Sequence, residues 1–323
     1  MASELRGRLI HSIDMERTST TNPDDGREAR LERAREIIGQ GTKALPSLPE
    51  AAWRAGRAAE DPDSTTDDLV DILTQDPALC GRLLKIANSP FYGARTEVAN
   101  VKQAAVILGR TRLRNVALAA SVQSVFGRRK VHESYSQRSL WTHSIRTAGA
   151  ASFVASESGA CDPDDAFVAG LLHDVGVCAE AALEPVALSN VIDRVERMPE
   201  LARSRAMAQA ERRIFDTDHL AIGAVLCESW GLPERLFEVL SLHHDPQAIV
   251  ETGNALAGVV LVAEASGAGS EHGLADHPVT WSADPGVLRL LGLDAAWTEA
   301  RHAALVEVAD AAEAAFGAQA EAA

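Results

Sequence analysis

The chain has 323 residues, 46% of them hydrophobic and 24% charged, a balance typical of a globular protein of about two domains. The formal net charge of −15 opposes broad binding to nucleic acid, because such binding draws most of its affinity from a positive surface. Aromatic residues make up only 4%, so Ala, Leu and Val must fill the interior, which favours a helical core over a β-sandwich.

The chain begins with a polar segment. Residues 1–42 are rich in charged and polar side chains, with at most one short helix near their end, so we expect a partly disordered tail. The opening lacks the apolar core of a signal peptide, and we expect no run with the roughly 18 apolar residues of a membrane span. The four cysteines form no CxxC pair and suit a reducing compartment. We therefore expect a cytoplasmic protein.

Helix start and stop signals dominate the rest of the chain. Asp162 and Pro163, for example, supply an N-cap and a first-turn proline. No convincing strand pattern appears, so the sequence predicts an all-α fold. We divide it into an N-terminal helical lobe over 43–130, a second helical lobe over 131–270, and a loop with C-terminal helices over 271–323.

The helix that begins at Pro163 carries an unusual pair. In its sequence, PDDAFVAGLLHDVG, the run after Asp165 is apolar until His173 and Asp174. We expect these two residues in the last turn, and we expect Gly176 to end the helix.

Other histidines and one glutamate also occupy predicted helices or their ends. Imidazole and carboxylate groups are ligands for divalent iron, manganese and zinc, and helices of an all-α scaffold can assemble such a site. Each residue alone also fits a structural role, since a single buried histidine is often an ordinary core residue. Together they predict a shared polar cavity. The candidate metal ligands are His143, His173, Asp174, His219, His243, His244 and Glu264.

Seven stretches between about Leu45 and Ala265 together resemble the HDOD family, the HD-related output domain of bacterial signalling proteins. In chain order they are LPSLPEAA, DLVDILTQDPALCGRLLKIANSPFYG, VKQAAVILGRTRLRNVALA, LWTHSIRTA, AFVAGLLHDVG, HLAIGAVLCESWGLPERLFEVLSLHHDP and VVLVAEA. The resemblance implies a two-lobed helical fold whose second lobe is similar to HD-domain phosphohydrolases. It also implies that the candidate residues correspond to the metal ligands of those enzymes, which hold one or two ions.

Three departures from the enzymes favour a protein without catalysis. Glu264 stands where the enzymes have aspartate, and the extra methylene shifts its carboxylate by about 1.5 Å. Val177 stands where they have a lysine that can hold a phosphate. No Gly-Tyr-Pro element follows His244. The resemblance therefore implies a non-catalytic regulatory module that binds other signalling proteins, with a homodimer left open.

Two other functions remain as alternatives. The first is a metal-dependent phosphohydrolase acting on a nucleotide or cyclic dinucleotide. The second is a nucleic-acid-associated regulator that uses residues 104–120, which have the outline of a helix-turn-helix with Arg110, Arg112 and Arg114 near the turn. The apolar continuation of the second helix argues against an exposed recognition helix, so we expect neither nucleic-acid nor membrane binding.

Overall fold

A computed structural model describes most of the chain. The described residues are 23–41, 45, 50–61, 63–92, 97–122, 126, 130–198, 203–266 and 283–317. Their helices, in chain order, are α1 (Pro23–Gly41), α2 (Glu50–Glu60), α3 (Thr66–Thr74), α4 (Pro77–Ala87), α5 (Val101–Val122), α6 (Gln137–Ser158), α7 (Pro163–Leu172), α8 (Val175–Leu183), α9 (Pro185–Glu196), α10 (Arg203–Phe215), α11 (His219–Ser229), α12 (Glu234–Leu242), α13 (Pro246–Thr252), α14 (Ala255–Ala265), α15 (Pro285–Leu290) and α16 (Ala295–Gly317). The predicted all-α class is confirmed.

Helices α2 to α5 form the N-terminal lobe. Helix α3 begins with a capping box in which the side chains of Thr65 and Asp68 each accept a hydrogen bond from the other's backbone N–H. Helix α5 is broken at Gly109, whose φ of 75° lies in the left-handed region that glycine adopts without strain. After this break, Thr111 and Arg112 are exposed, whereas Leu113 and residues 115–122 are buried.

The second lobe begins with a small structure that the sequence did not predict. Strands β1 (Lys130–His132) and β2 (Tyr135–Ser136) form a short antiparallel hairpin before α6. Helices α6, α7, α8, α11, α12 and α14 then pack around one another. Helices α13 and α14 are separated by Gly253, which has a left-handed conformation.

The break between α7 and α8 corrects the expected position of the His-Asp pair. Helix α7 ends at Leu172, His173 is its C-cap, and Asp174 is the residue before α8. Gly176 therefore lies in the first turn of α8 and does not end a helix. Its role is a close approach to α11, because a Cβ at this position would lie 2.0 Å from the carbonyl oxygen of His219.

The expected N-terminal tail also needs correction. Residues 1–22 lie outside the described part, but α1 is a helix of 19 residues that packs on α11. Leu31, Ala34 and Ile38 are buried, and Arg30 forms an ion pair with the buried carboxylate of Asp218. The sequence pattern predicted at most a short helix here because few residues of α1 are apolar. The loop predicted at the start of the 271–323 segment lies outside the described residues up to residue 282.

In the part of the chain that the structure describes, one apolar segment reaches membrane-spanning length. Pro163–Leu183 is long and apolar enough to cross a membrane by length and composition alone, contrary to the expectation from sequence, but 89% of its most apolar stretch is buried within the protein. It comprises α7 and α8, so packing against the surrounding helices accounts for its apolar character.

An aromatic cluster joins both lobes to the C-terminal helix. The ring of Phe316 on α16 lies 5.3 Å from that of Phe167 on α7 and 6.1 Å from that of Phe91, in a 3-10 turn after α4. Phe316 is fully buried. Helix α16, which follows the predicted lobes, is therefore part of the core.

We expect the Phe316→Ala substitution to lower the free energy of unfolding by about 3–5 kcal/mol, the usual cost of removing a buried phenyl ring. Urea denaturation followed by circular dichroism measures this change. The exposed Val186 on α9 provides a control, since Val186→Ala should change stability by less than about 0.5 kcal/mol. Equal effects for the two variants would contradict a core role for α16.

Candidate metal centre

The candidate ligands come from five places in the second lobe. His143 lies on α6, His219 is the first residue of α11, and Glu264 is in the last turn of α14. The pair His173 and Asp174 occupies the junction of α7 and α8, and the pair His243 and His244 follows α12. Helix ends are suited to this purpose, because a side chain there can point into the centre of the lobe without interrupting a packed helix face.

Asp174 lies at the middle of the centre. Its Oδ2 atom is 3.3 Å from Nε2 of His173 and 3.6 Å from Nε2 of His143. Its Oδ1 atom is 3.7 Å from Nε2 of His219 and 3.6 Å from Nε2 of His243. The two carboxylate oxygens therefore face two different pairs of imidazoles.

The side chains divide into two groups around these oxygens. In each group, one potential ligand atom from every member lies within 4.8 Å of all the others. One group is Asp174, His219, His243 and His244; the other is His143, His173 and Glu264. All seven residues predicted from the sequence are thus brought together. The extra methylene of Glu264, relative to aspartate, does not keep its carboxylate from the second group, because one of its oxygens lies within 4.8 Å of ligand atoms of His143 and His173.

The imidazole rings are oriented by hydrogen bonds on their outer sides. Nδ1 of His173 lies 2.7 Å from the carbonyl oxygen of Gly170, and Nδ1 of His243 lies 3.1 Å from that of Leu240. A carbonyl can only accept, so each Nδ1 carries the proton and each Nε2 faces the centre.

Nε2 of His219 and Nε2 of His243 are buried and have no hydrogen-bond partner among the described residues. Buried polar atoms normally have a partner, and inward-facing imidazole nitrogens beside a carboxylate are what a divalent metal requires. The residues present therefore fit a metal ion.

The charges of the metal-free centre follow from its contacts. Burial opposes a charge on His173, but the nearby Asp174 carboxylate overrides it and raises the pKa of His173 to about 9. Burial also opposes a charge on His219, and Glu211 raises the pKa of that ring to about 10. Burial, aided by the neighbouring His244, lowers the pKa of His243 to about 3. Without metal, an Asp174 carboxylate thus lies between two imidazolium groups.

Glu211 on α10 is a functional candidate that sequence reasoning missed. Its Oε2 atom accepts a hydrogen bond from Nδ1 of His219 at 2.7 Å and another from the backbone N–H of His219 at 3.0 Å. Both residues are fully buried. A buried carboxylate that orients a ligating histidine raises the basicity of the ring. No sequence pattern indicated this pair, because eight residues and a non-helical turn separate its members.

The arginines of the helix-turn-helix candidate are engaged within the protein. The Nε–H of Arg112 is shared between the two carboxylate oxygens of Asp164 at 3.0 and 3.2 Å, and Nη2 of Arg114 donates to Oδ1 of Asp165 at 2.9 Å. Arg110 donates to the backbone carbonyl oxygens of Ala58 and Asp61. Arg112 and Arg114 thus connect the N-terminal lobe to the start of α7, the helix that ends at Leu172. The geometry therefore gives these guanidinium groups a structural role.

Comparison with known proteins agrees with this architecture. The family model described as HDOD domain matches residues 45–246. The chain is similar to the structure of an HDOD domain protein of unknown function from Geobacter sulfurreducens, with 29% identity, a TM-score of 0.74, and coverage of 90% of this chain and 99% of that one. It also shares its fold with a candidate signal transduction protein from Marinobacter aquaeolei VT8, with 24% identity, a TM-score of 0.73, and coverage of 94% and 68%.

A curated relative from Treponema pallidum (strain Nichols), itself described as uncharacterized, is 28% identical over 211 residues. This match covers 62% of the chain but only 38% of the relative, so the chain spans well under half of that protein. The family model covers more than half of the chain and includes every candidate ligand except Glu264. The chain belongs to the HDOD family.

Proposed function

We propose that this HDOD protein is a non-catalytic signalling output module whose second lobe binds one or two divalent ions, iron or manganese, and that it acts by binding other signalling proteins in the cytoplasm. The observation that carries the metal proposal is the convergence of six other potential ligands on the site of Asp174, with the Nε2 atoms of four histidines directed toward its carboxylate.

Each ion position has a defined set of residues. Asp174 Oδ1 with His219, His243 and His244 would hold one ion, and the second group, with Asp174 Oδ2, would hold another. A divalent ion held there supplies positive charge and Lewis acidity, and it fixes several helix ends to one point.

The surroundings of the centre support a role without turnover. Val177 stands at the position that the resemblance matches to a lysine of HD-type enzymes. Its side chain is uncharged and fully buried, and it therefore presents no cation to a phosphate. Arg112 and Arg114 are held by Asp164 and Asp165, which supports protein binding over nucleic-acid binding. The cysteines Cys178 and Cys227 are free and buried, in keeping with a reducing cytoplasm.

A metal-dependent phosphohydrolase is the second candidate. The observation that favours it is that the two carboxylate oxygens of Asp174 face different ligand groups. Two ions that share one carboxylate suit phosphoester chemistry. Protein purified without chelators or a histidine tag should first be analysed for metal. It should then leave cyclic di-GMP and nucleoside phosphates intact in the presence of Mn²⁺ or Fe²⁺. Linearised product that disappears in the His173→Ala variant would establish the enzyme instead.

Metal binding should strengthen as pH rises. His173 and His219 have pKa values of about 9 and 10 in the metal-free protein, so both are protonated near neutral pH and an ion must displace their protons. We expect affinity for Mn²⁺ to rise by up to about tenfold per pH unit for each displaced proton between roughly pH 6 and 9. Isothermal titration calorimetry in buffers of different ionisation enthalpy measures both the affinity and the protons released. A pH-independent affinity without proton release would contradict binding at these imidazoles.

A further inference from the structure

The candidate metal centre is more accessible on one side than on the others. The side chains of His244 and Glu264 are 20% and 22% exposed. The other five candidate ligands have side chains that are at most 10% exposed, and they are His143, His173, Asp174, His219 and His243. Solvent therefore approaches the centre mainly beside His244 and Glu264.

The carboxylate of Glu264 faces both ligand groups on this accessible side. Its Oε2 atom lies 3.5 Å from Nδ1 of His244, which belongs to the first group, the one that contains Asp174. One of its oxygens also lies within 4.8 Å of ligand atoms of His143 and His173 in the second group. Asp174 is likewise close to both groups, but it is buried. Glu264 is therefore the half-buried carboxylate between the two ion positions.

An anion that enters the centre from solvent would have to occupy this same region. A phosphate bound to a metal ion places an oxygen on the ion and must approach it from an accessible side. The carboxylate of Glu264 already offers two oxygen acceptors there, and its negative charge opposes a second anion in close contact. Water carries no net charge and is not opposed in this way. The side chain therefore discriminates between small ligands by their charge.

We propose that Glu264 is a specificity-determining residue whose carboxylate covers the accessible side of the centre and excludes anionic ligands, inorganic phosphate and phosphate esters in particular. This inference rests on the proposed metal function and deepens it, because it names the side chain that keeps a phosphate from the ions. The first group does not include Glu264, so a variant without this carboxylate keeps all four ligands of one ion position.

Binding of inorganic phosphate to the Mn²⁺-loaded protein tests the proposal. With protein in excess over Mn²⁺, paramagnetic broadening of the ³¹P NMR resonance reports phosphate next to the ion, and a titration gives the affinity. We expect Glu264→Ala to bind phosphate at least about tenfold more tightly than the wild type, because the like charge is removed. Glu264→Gln removes the charge and keeps the size, so its affinity should lie between these two.

An exposed glutamate provides the matched control. Glu251 lies on α13, and Glu251→Ala changes the net charge by the same amount as Glu264→Ala. It should leave phosphate affinity within about twofold, because exposed charges are screened by solvent and salt. Metal analysis of each sample shows whether Mn²⁺ is retained, and Glu264→Gln decides the result if the alanine variant loses it. Phosphate affinity equal to that of the wild type in a Glu264 variant that holds Mn²⁺ would overturn the proposal.

A measurement on the metal-free protein tests the covering role even if the wild type binds no ion and the proposed metal function fails. Diethyl pyrocarbonate is a small neutral reagent that acylates accessible imidazole nitrogens, and mass spectrometry identifies the modified residue. We expect His244 to react several-fold faster in Glu264→Ala than in the wild type, whereas the exposed His302 on α16 should react equally fast in both. Equal rates at His244 would overturn the proposal independently of metal binding.

Discussion

Asp174→Asn is expected to reduce affinity for Mn²⁺ or Fe²⁺ by roughly 100-fold or more. Asparagine has nearly the same size as aspartate, but it is neutral and offers only one oxygen. The two ligand groups therefore lose the anion that they share, while the imidazoles keep their positions. Metal content after purification and competition titration both measure the effect.

An exposed aspartate provides the matched control for this variant. Asp71 lies on the solvent side of α3, and Asp71→Asn changes the net charge of the protein by the same amount. It should leave the metal affinity within about twofold, because exposed charges are screened by solvent and salt. Equal metal binding by the two variants would show that Asp174 is not the central ligand.

Gly176→Ala is expected to lower the free energy of unfolding by about 3 kcal/mol or more, as overpacking against a rigid backbone does. The added Cβ would lie 2.0 Å from the carbonyl oxygen of His219 and 2.8 Å from the backbone nitrogen of Gly223. Both contacts are with backbone, so no side-chain rotation relieves them, and α8 must separate from α11. Urea denaturation measures the change.

The same substitution at another helical glycine should have the opposite effect. Gly81 on α4 has open space within 4 Å of the position that a Cβ would take, and alanine is the better helix former by about 0.5–1 kcal/mol. Gly81→Ala should therefore raise the free energy of unfolding. Destabilisation of similar size in both variants would mean that the contact of α8 with α11 does not control the result.

The contact at Gly176 also bears on the candidate metal centre. Gly176 lies two residues after Asp174, and the backbone it touches belongs to His219. Separation of α8 from α11 would therefore move the Asp174 carboxylate away from the His219 ring. We expect Gly176→Ala to weaken metal binding as well as stability, whereas Gly81→Ala should leave metal binding unchanged.

The site could be predicted from sequence only as a set of residue types in a family pattern. The ligand candidates from His143 to Glu264 came from imidazole and carboxylate side chains on predicted helices, and the resemblance to the HDOD family, carried by seven ordered stretches, matched them to metal ligands. Neither could supply the division of Asp174 between two groups, since that depends on how the ends of α7, α11 and α12 meet. Glu211 was missed because its contact with His219 is set by packing between helices.

The sequence by itself determined the helical class, the helix start at Asp162 and the turn near Arg110, which the structure places at Gly109, because these depend on local hydrogen bonds and backbone freedom. Only the tertiary structure decided that α1 packs on α11, that Gly176 lies where α8 closely approaches α11, and that the buried carboxylates of Asp174 and Glu211 lie beside His219. Such features depend on burial and on distances between segments far apart in the chain, and local patterns carry no information on these quantities.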